Sequence, residues 1–254
     1  MATLAGKKVL VTGGASGIGM AIVREFAKYS AIVGIHYYQS EQAARTLKAE
    51  LAGQSVRAEI FRADLTLSEQ AKKMAEHFAR WAGGIDILVN NAGDILGRRK
   101  LDGLDQEFER SVMAVNFDSS VFTTQGALPH LKAAGKAGGA SVVNIASLAA
   151  RNGAGAGAGI YAAAKGAIVT WTKSMARELA VDGIRVNAIC PGFILGTDFH
   201  ATHTPKATQA QIVDTIPLKR AGTPEDIARF VVFLASETDG FATGAVVDIN
   251  GGVW

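Results

Sequence analysis

Tyr161 and Lys165 stand four residues apart, with three alanines between them. Alanine is the strongest helix former, so this stretch predicts a helix on which the phenol and the ammonium share one face. A cation beside a phenol favours the phenolate, and we therefore expect the pKa of Tyr161 to fall from about 10 towards neutrality. Such a tyrosine could serve as an acid and a base near neutral pH. The alternative is an exposed tyrosine that lies along a lysine stem.

A glycine-rich turn near the N-terminus is the second chemical feature. Apolar Val9-Leu10-Val11 predicts a buried strand before the turn, and a helical pattern begins at Met20 after it. A strand, a glycine-rich turn and a helix in this order are typical of a dinucleotide site, where backbone N–H groups and the helix dipole hold a pyrophosphate. A tight turn without a ligand is the alternative. The candidate cofactor-binding residues here are Gly13, Ser16, Gly17, Ile18 and Gly19.

The end of the second predicted strand bears on the choice of dinucleotide. Folds that bind NAD often place an acidic residue there for the adenine ribose, but strand 31–36 runs into Tyr37-Tyr38-Gln39-Ser40. A carboxylate would repel a 2′-phosphate, so its absence favours NADP(H), with Tyr38, Gln39 and Ser40 as possible donors to that phosphate. No arginine stands at the strand end, so NAD(H) remains possible. Ser40 also suits the N-cap of a helix over 41–51.

Strand-like and helix-like segments alternate along the whole chain. The strands are predicted at 7–12, 31–36, 55–61, 85–89, 141–146, 184–190 and 244–250. This order predicts an α/β fold, a single Rossmann-like domain over 1–254 with a doubly wound sheet of about seven parallel strands and helices on both faces. The irregular segment 193–217 is typical of a substrate lid.

Polar residues follow two of these strands and interrupt one helix. Asn91, Ala92 and Gly93 come directly after the fourth strand, at the edge where such sheets bind ligands. Asp64-Leu65 follows the third strand, and Asp64 either meets an adenine or is an ordinary turn aspartate. Asn116 lies inside a helical stretch over 104–134, where asparagine is unfavourable unless it bonds across the helix or has a function.

Composition excludes several classes of function. The net charge of +3 arises from scattered Lys and Arg without a basic stripe, so we expect no nucleic-acid partner. Cys190 is the one cysteine, which rules out an internal disulfide and favours a reducing, cytoplasmic setting. The first residues do not predict a signal peptide, and no apolar run predicts a membrane span. His200 and His203 have no third ligand at a suitable spacing, so we expect no metal site.

Taken together, these motifs resemble the short-chain dehydrogenase/reductase family over nearly the whole chain. They are Thr12-Gly13-x-x-x-Gly17-x-Gly19, Asn90-Asn91-Ala92-Gly93, Asn116, Ser147, Tyr161-x-x-x-Lys165 and Pro191-Gly192. The resemblance implies that Tyr161 is the general acid/base, that Lys165 lowers its pKa and binds the nicotinamide ribose, and that Ser147 bonds the substrate oxygen. It further implies that Asn116 positions a water in a proton relay, and that Pro191, Gly192, Ile194 and Thr197 meet the nicotinamide. An inserted Gly196 puts the contact of Thr197 in doubt, and the loop 148–160 is one residue longer than usual.

The substrate implied by the resemblance is a small carbonyl compound or alcohol. The segment 216–228 is similar to that of 3-oxoacyl acyl-carrier-protein reductases, with sugar, polyol or cyclic-alcohol dehydrogenases of the same family as the alternative. Asp182 stands where those reductases tend to carry a basic residue, which argues against a carrier protein, although Lys132 and Lys136 leave it open. The resemblance also implies a homotetramer. The alternative of a different class is a regulator that binds NAD(P) without catalysis.

Overall fold

Seven parallel strands form one sheet at the centre of the computed structural model, which describes residues 4–197, 204–236 and 240–253. The strands are β1 Lys8–Val11, β2 Ile32–Tyr37, β3 Ala58–Arg62, β4 Ile87–Asn90, β5 Ala140–Ile145, β6 Ile184–Pro191 and β7 Val246–Ile249. Their order across the sheet is β3-β2-β1-β4-β5-β6-β7, and every neighbouring pair is parallel. The predicted doubly wound sheet is confirmed.

Helices cover both faces of this sheet. They are α1 Gly17–Ala27, α2 Glu41–Gly53, α3 Ser68–Ala82, α4 Gln106–Met113, α5 Ser119–Lys136, α6 Ala149–Asn152, α7 Gly159–Leu179, α8 Lys206–Thr215 and α9 Pro224–Ala235. Side chains of α1, α2 and α9 share one apolar core, and side chains of α3, α5 and α7 share the other. Val9 and Val11 of β1 enter the first core and Leu10 enters the second, because successive strand residues point to opposite faces.

The predicted helical stretch over 104–134 has a change of geometry in its middle. Between α4 and α5, residues Ala114–Asp118 form a π-helical turn. Single π turns inside helices are frequent at functional sites because they bring one extra residue into the turn. Asn116 lies in this turn and is completely buried.

The segment predicted to be an irregular lid is partly helical. Lys206–Thr215 forms α8, which mixes strong helix formers with threonine, isoleucine, valine and aspartate and has no strong apolar stripe, so the sequence pattern did not reveal it. Residues 198–203, with His200 and His203, lie outside the described part of the chain. A lid over 193–217 therefore stays a prediction. Among the helices that the structure does describe, none combines the length and the apolar character needed to cross a membrane.

Candidate active site

A cavity of about 700 Å³ opens at the carboxyl ends of the central strands. It lies where the chain leaves β1 and β4 in opposite directions, which is the usual ligand position in open α/β sheets. Most of the predicted site residues line it: Gly13, Ser16, Gly17, Ile18, Gly19, Asn91, Ala92, Gly93, Ser147, Tyr161, Lys165, Pro191, Gly192, Ile194 and Thr197. Asn116 lies behind the wall, and Tyr38, Ser40, Asp64 and Leu65 lie outside the cavity as the described residues define it.

The glycine-rich turn is held in place by the end of β4. The amide of Asn91 donates from Nδ2 to the carbonyl oxygens of Thr12, at 2.9 Å, and Gly13, at 3.2 Å. A Cβ atom on Gly19 would collide with the carbonyl of Gly13 and lie 2.6 Å from Nδ2 of Asn91. Because Gly17 and Gly19 have no side chains, the first turn of α1, with its free N–H groups, is open to the cavity. This cradle fits the pyrophosphate of a dinucleotide.

His36, for which the sequence predicted no role, fastens the same turn to β2. Its Nδ1 accepts a hydrogen bond from the backbone N–H of Gly13 at 2.9 Å, and its Nε2 donates to the carbonyl of Ala63 at 3.1 Å. The ring is 3% exposed, and burial lowers its pKa to about 4. His36 is therefore neutral at physiological pH. A polar ring inside an otherwise apolar strand was the one sequence feature that could have revealed it.

Tyr161 and Lys165 share one face of α7, as the spacing predicted. Lys165 is 4% exposed, and its Nζ lies 5.9 Å from the centre of the Tyr161 ring. The ammonium donates to the carbonyl oxygen of Ile145, the last residue of β5, at 3.0 Å. Burial lowers the pKa of Lys165 to about 8. The strand end thus fixes the ammonium beside the phenol.

The predicted fall in the pKa of Tyr161 is wrong for this structure. Burial raises the pKa of Tyr161 to about 12, whereas a hydrogen bond with the side chain of Ser147 lowers it, and the negative charge of Asp94 raises it further. Desolvation disfavours the phenolate more strongly than the neighbouring hydroxyl favours it. The sequence showed the nearby cation but not the depth of burial, which decides the direction.

Asn116 places a hydrogen-bond acceptor behind Tyr161 and Lys165. Its Nδ2 donates to the carbonyls of Asp94, at 2.6 Å, and Val112, at 2.9 Å. Its Oδ1 is buried and has no hydrogen-bond partner within the described residues. A Cβ atom on Gly93 would lie 2.7 Å from this oxygen and 2.9 Å from Nζ of Lys165. Glycine at position 93 therefore keeps open the space between the amide and the ammonium.

The cavity mouth is formed by the loop 148–160, which the sequence analysis noted for its extra residue, and by the loop after β4, to which it gave no role. From the loop after β4 come Asp94, Ile95, Leu96 and Arg98, and from the segments before and within the turn to α7 come Ala149, Ala154 and Ala158. Leu96 and Ala154 both have a positive φ, at 55° and 61°. Non-glycine residues adopt this conformation at a cost, and such strain is concentrated at ligand sites. For the loop after β4, the available sequence clue was its position directly after the Asn91-Ala92-Gly93 motif.

The inserted Gly196 does not remove Thr197 from the site. Gly196 has a φ of +80°, which allows the chain to turn, and Thr197 lines the cavity opposite the glycine-rich turn. The side chain of Thr197 would lie 3.3 Å from a Cβ atom on Gly17. The hydroxyl donates to the carbonyl of Ile194 at 3.5 Å.

The residues predicted for the adenine end are exposed or otherwise bonded. Tyr38 is 48% exposed. Ser40 stands at the N-cap of α2, but its side chain makes no capping bond. Asp64 accepts from the hydroxyl of Thr66 at 2.6 Å, as a turn aspartate does, and Leu65 is buried in the core. Of the two interpretations of Asp64, this geometry favours the turn.

Comparisons with family models, with curated proteins and with solved structures all point to one family. The family model described as enoyl-(acyl carrier protein) reductase matches residues 13–254. The chain belongs to the short-chain dehydrogenase/reductase family. It is 38% identical to the 3-oxoacyl acyl-carrier-protein reductase FabG of Chlamydia pneumoniae, over 99% of this chain and 98% of that protein. It is similar at 34% identity to general stress protein 39 of Bacillus subtilis, over 98% of this chain and 85% of that protein.

Solved structures of the family agree with the fold. An NADH-dependent reductase described as responsible for alginate metabolism superimposes with a TM-score of 0.90 at 36% identity, over 98% of this chain and 97% of that one. A blue fluorescent protein from a metagenomic library, in complex with NADPH, gives a TM-score of 0.91 at 32% identity, over 98% of both chains. The prediction of an NAD(P)-dependent oxidoreductase is confirmed.

Proposed function

We propose that this protein reduces the carbonyl group of a small substrate, with Tyr161 as the general acid. The observation that carries the proposal is the placement of Ser147 and Tyr161 at the wall of one cavity, with Nζ of Lys165 fixed 5.9 Å from the centre of the Tyr161 ring. Two hydroxyl groups thereby converge on one point, where a carbonyl oxygen can be bound. A bound nicotinamide supplies the hydride that the carbonyl carbon accepts.

The side chains divide the remaining chemistry between them. Ser147 donates a hydrogen bond to the substrate oxygen and stabilises the negative charge that develops there. Tyr161 transfers its phenolic proton to that oxygen. The ammonium of Lys165 stabilises the phenolate that remains. The free Oδ1 of Asn116 can accept a hydrogen bond from a water that carries a proton towards Lys165, since both groups border the same gap at Gly93.

NADP(H) is the preferred cofactor in this proposal, with NAD(H) as a possible substitute. The hydroxyl of Ser40 is free of any capping bond at the end of β2, and Tyr38 is exposed beside it. Glu41 is the nearest acid in the chain, and Arg45 binds its carboxylate at 2.7 Å, which reduces repulsion of a phosphate. Related structures contain NADPH in one case and NAD in another, so both cofactors occur among relatives.

A 3-oxoacyl thioester is the first candidate substrate. The FabG relative from Chlamydia pneumoniae supports it. The sequence argument that used Asp182 against a carrier protein needs correction, because Asp182 binds Lys132 at 2.9 Å at the amino end of β6, not beside the cavity. The eight residues of β6 separate this pair from the cavity by roughly 25 Å. Asp182 and Lys132 therefore give no evidence for or against an acyl carrier protein at the mouth of the cavity.

A carbonyl compound derived from a carbohydrate is the second candidate. The reductase responsible for alginate metabolism supports it, since that structure matches nearly the whole chain. The loop after β4 also contributes two charged residues to the cavity lining, Asp94 and Arg98, which suit a polar substrate better than an acyl chain.

The rate of NADPH oxidation tests both candidates, with NADH measured beside it. Acetoacetyl-CoA represents the thioester and 5-dehydrogluconate the carbohydrate. Turnover that depends on Tyr161 supports the proposal, and a preference for one substrate identifies the class. Protein that binds NADPH but oxidises it with no carbonyl compound would contradict the proposal.

A homotetramer and a cytoplasmic location belong to the same proposal. Phe230 and Phe233 of α9 are 42% and 54% exposed, and Phe241 is fully exposed, which supports a covered surface in an assembly. The single cysteine, Cys190, is buried and unpaired, as suits a reducing compartment. A monomeric mass by light scattering at micromolar concentration would contradict the tetramer.

A further inference from the structure

The two loops at the cavity mouth are bonded to each other. The backbone N–H of Arg99 donates to the carbonyl of Gly157 at 2.9 Å. The guanidinium of Arg98 donates from one nitrogen to the carbonyl of Ala156 at 3.2 Å. A Cβ atom on Gly157 would lie 3.1 Å from the Cβ of Arg98, so the two backbones are in close contact. Arg98 is therefore held at a defined place above the cavity.

Arg98 differs from the nearby arginines in having no carboxylate partner among the residues that the structure describes. Arg99 approaches Asp105 at 3.9 Å and stacks on the ring of Phe108 at 4.8 Å, away from the cavity. Arg151, near the same mouth, forms a two-point ion pair with Asp248. No carboxylate in the described ranges pairs with Arg98, which is exposed and lines the cavity. One hydrogen bond to a carbonyl leaves most of its five donors available.

Asp94 and Arg98 place opposite charges at different parts of the cavity, which would orient an anionic substrate. Asp94 lines the same cavity, and its main-chain carbonyl accepts a hydrogen bond from Asn116 at 2.6 Å, so Asp94 stands at the reacting end. A second anion there would be repelled, whereas an anion at Arg98 would be attracted. A substrate with a negative group is thereby oriented with that group outward and its carbonyl inward.

We propose that Arg98 binds a carboxylate of the substrate, so that the enzyme prefers oxo acids to neutral ketones and aldehydes. This inference rests on the proposed reductase function. An arginine fork matches a carboxylate with two parallel hydrogen bonds, which gives both attraction and orientation. The carboxylate and the reacting carbonyl must be well separated in the substrate, because Arg98 stands at the mouth of the cavity and Tyr161 at its wall. A compact oxo acid with the two groups several bonds apart meets this requirement.

The test compares matched acids and neutral compounds in three proteins. The substrates are 4-oxopentanoate and 5-oxohexanoate beside their methyl esters, and 5-dehydrogluconate beside fructose. The proteins are the wild type, Arg98→Gln and the control Arg99→Gln, each with NADPH at saturation. The measured quantity is kcat/KM, together with the separate KM values.

The wild type should use each acid better than its neutral partner. Arg98→Gln should lose roughly 10- to 100-fold in kcat/KM for the acids, mainly through KM, and keep its rate with the neutral compounds. Arg99→Gln should keep the preference for acids. Arg98→Lys should restore part of it, since the charge remains and the fork is lost.

Three results would overturn the inference, and one of them separates it from the proposed function. Equal use of acids and neutral partners by the wild type contradicts a carboxylate site. An equal loss for both kinds of substrate in Arg98→Gln indicates a structural role of the loop contact. Turnover of acetoacetyl-CoA alone contradicts the inference but leaves the reductase function intact, whereas no NADPH oxidation with any carbonyl compound contradicts the function itself.

Discussion

The two ends of the cleft are built in different ways. At the end beneath β4, β5 and β6, Lys165 and Asn116 are buried and bonded to main-chain carbonyls, and a methyl group on Gly93 would press on both side chains. At the end beside β2 and β3, beyond the cavity itself, Tyr38 and Ser40 are exposed, and no side-chain hydrogen bond within the described residues fixes either of them. A substitution at the first end therefore disturbs the neighbouring side chains, whereas a substitution at the second end does not.

This difference separates chemistry from cofactor choice. Transition-state stabilisation needs groups held within a fraction of an ångström, which requires rigid packing around them. Discrimination between two dinucleotides needs only one favourable or unfavourable contact to a phosphate, which an exposed side chain can provide. Substitutions at the buried end should therefore cost far more than those at the exposed end.

The largest expected effect is that of Tyr161→Phe. Loss of the phenolic hydroxyl, and with it the proton that it donates, should lower kcat by roughly 10²- to 10⁴-fold, which is the usual contribution of a general acid. The dissociation constant for NADPH, measured by fluorescence, should change only a few-fold. Tyr29→Phe, outside the cavity, serves as the control and should keep normal turnover. Normal turnover in Tyr161→Phe would disprove the assigned mechanism.

Gly93→Ala tests how tightly the buried end is packed. The new methyl group would press on Oδ1 of Asn116 and Nζ of Lys165, at 2.7 and 2.9 Å. The methyl group should displace these side chains, and because a misplacement of about 1 Å can cost about 100-fold in rate, we expect a loss of roughly 10- to 100-fold in kcat. Gly53→Ala, in α2, meets no atom within 4 Å and should leave kcat unchanged. Equal rates in both variants would show that the buried end is less rigid than described.

His36 joins the two ends, and its titration should appear in the stability of the protein. The folded state lowers its pKa from 6.5 to about 4, so the unfolded chain binds the proton first as the pH falls. The free energy of unfolding should therefore decrease between pH 6.5 and pH 4, by up to about 3 kcal/mol.

His36→Gln keeps a donor and an acceptor but does not titrate, so urea unfolding at pH 7 and pH 4.5 should show a smaller difference than in the wild type. His77→Gln, on the exposed face of α3, is the control and should behave as the wild type does. An unchanged pH dependence in His36→Gln would mean that folding does not lower the pKa of His36.

The smallest expected effect is that of Ser40→Asp at the exposed end. A carboxylate there should repel the 2′-phosphate and raise KM for NADPH by roughly 10-fold, with little change for NADH. The ratio of kcat/KM for the two cofactors measures the change, and NADH is the internal control. Equal losses with both cofactors would place Ser40 outside the phosphate site.

Prediction from the sequence succeeded where local patterns suffice. Short apolar runs separated by helical segments predicted the sheet, and the glycine spacing predicted the turn that Asn91 holds against β4. It failed where the answer depends on residues far apart in the chain. Arg98 meets Ala156 across 58 positions, and no periodicity connects them. The helix α8 was missed because its apolar pattern is weak.

The sequence by itself determined the family and the alternation of strands and helices that builds the parallel sheet, because these follow from residue types at fixed spacings. Only the tertiary structure decided the electrostatics. Burial, not the neighbouring lysine, sets the direction of the Tyr161 pKa, and burial also keeps His36 neutral. Desolvation depends on every atom packed around a group, and those atoms come from distant parts of the chain.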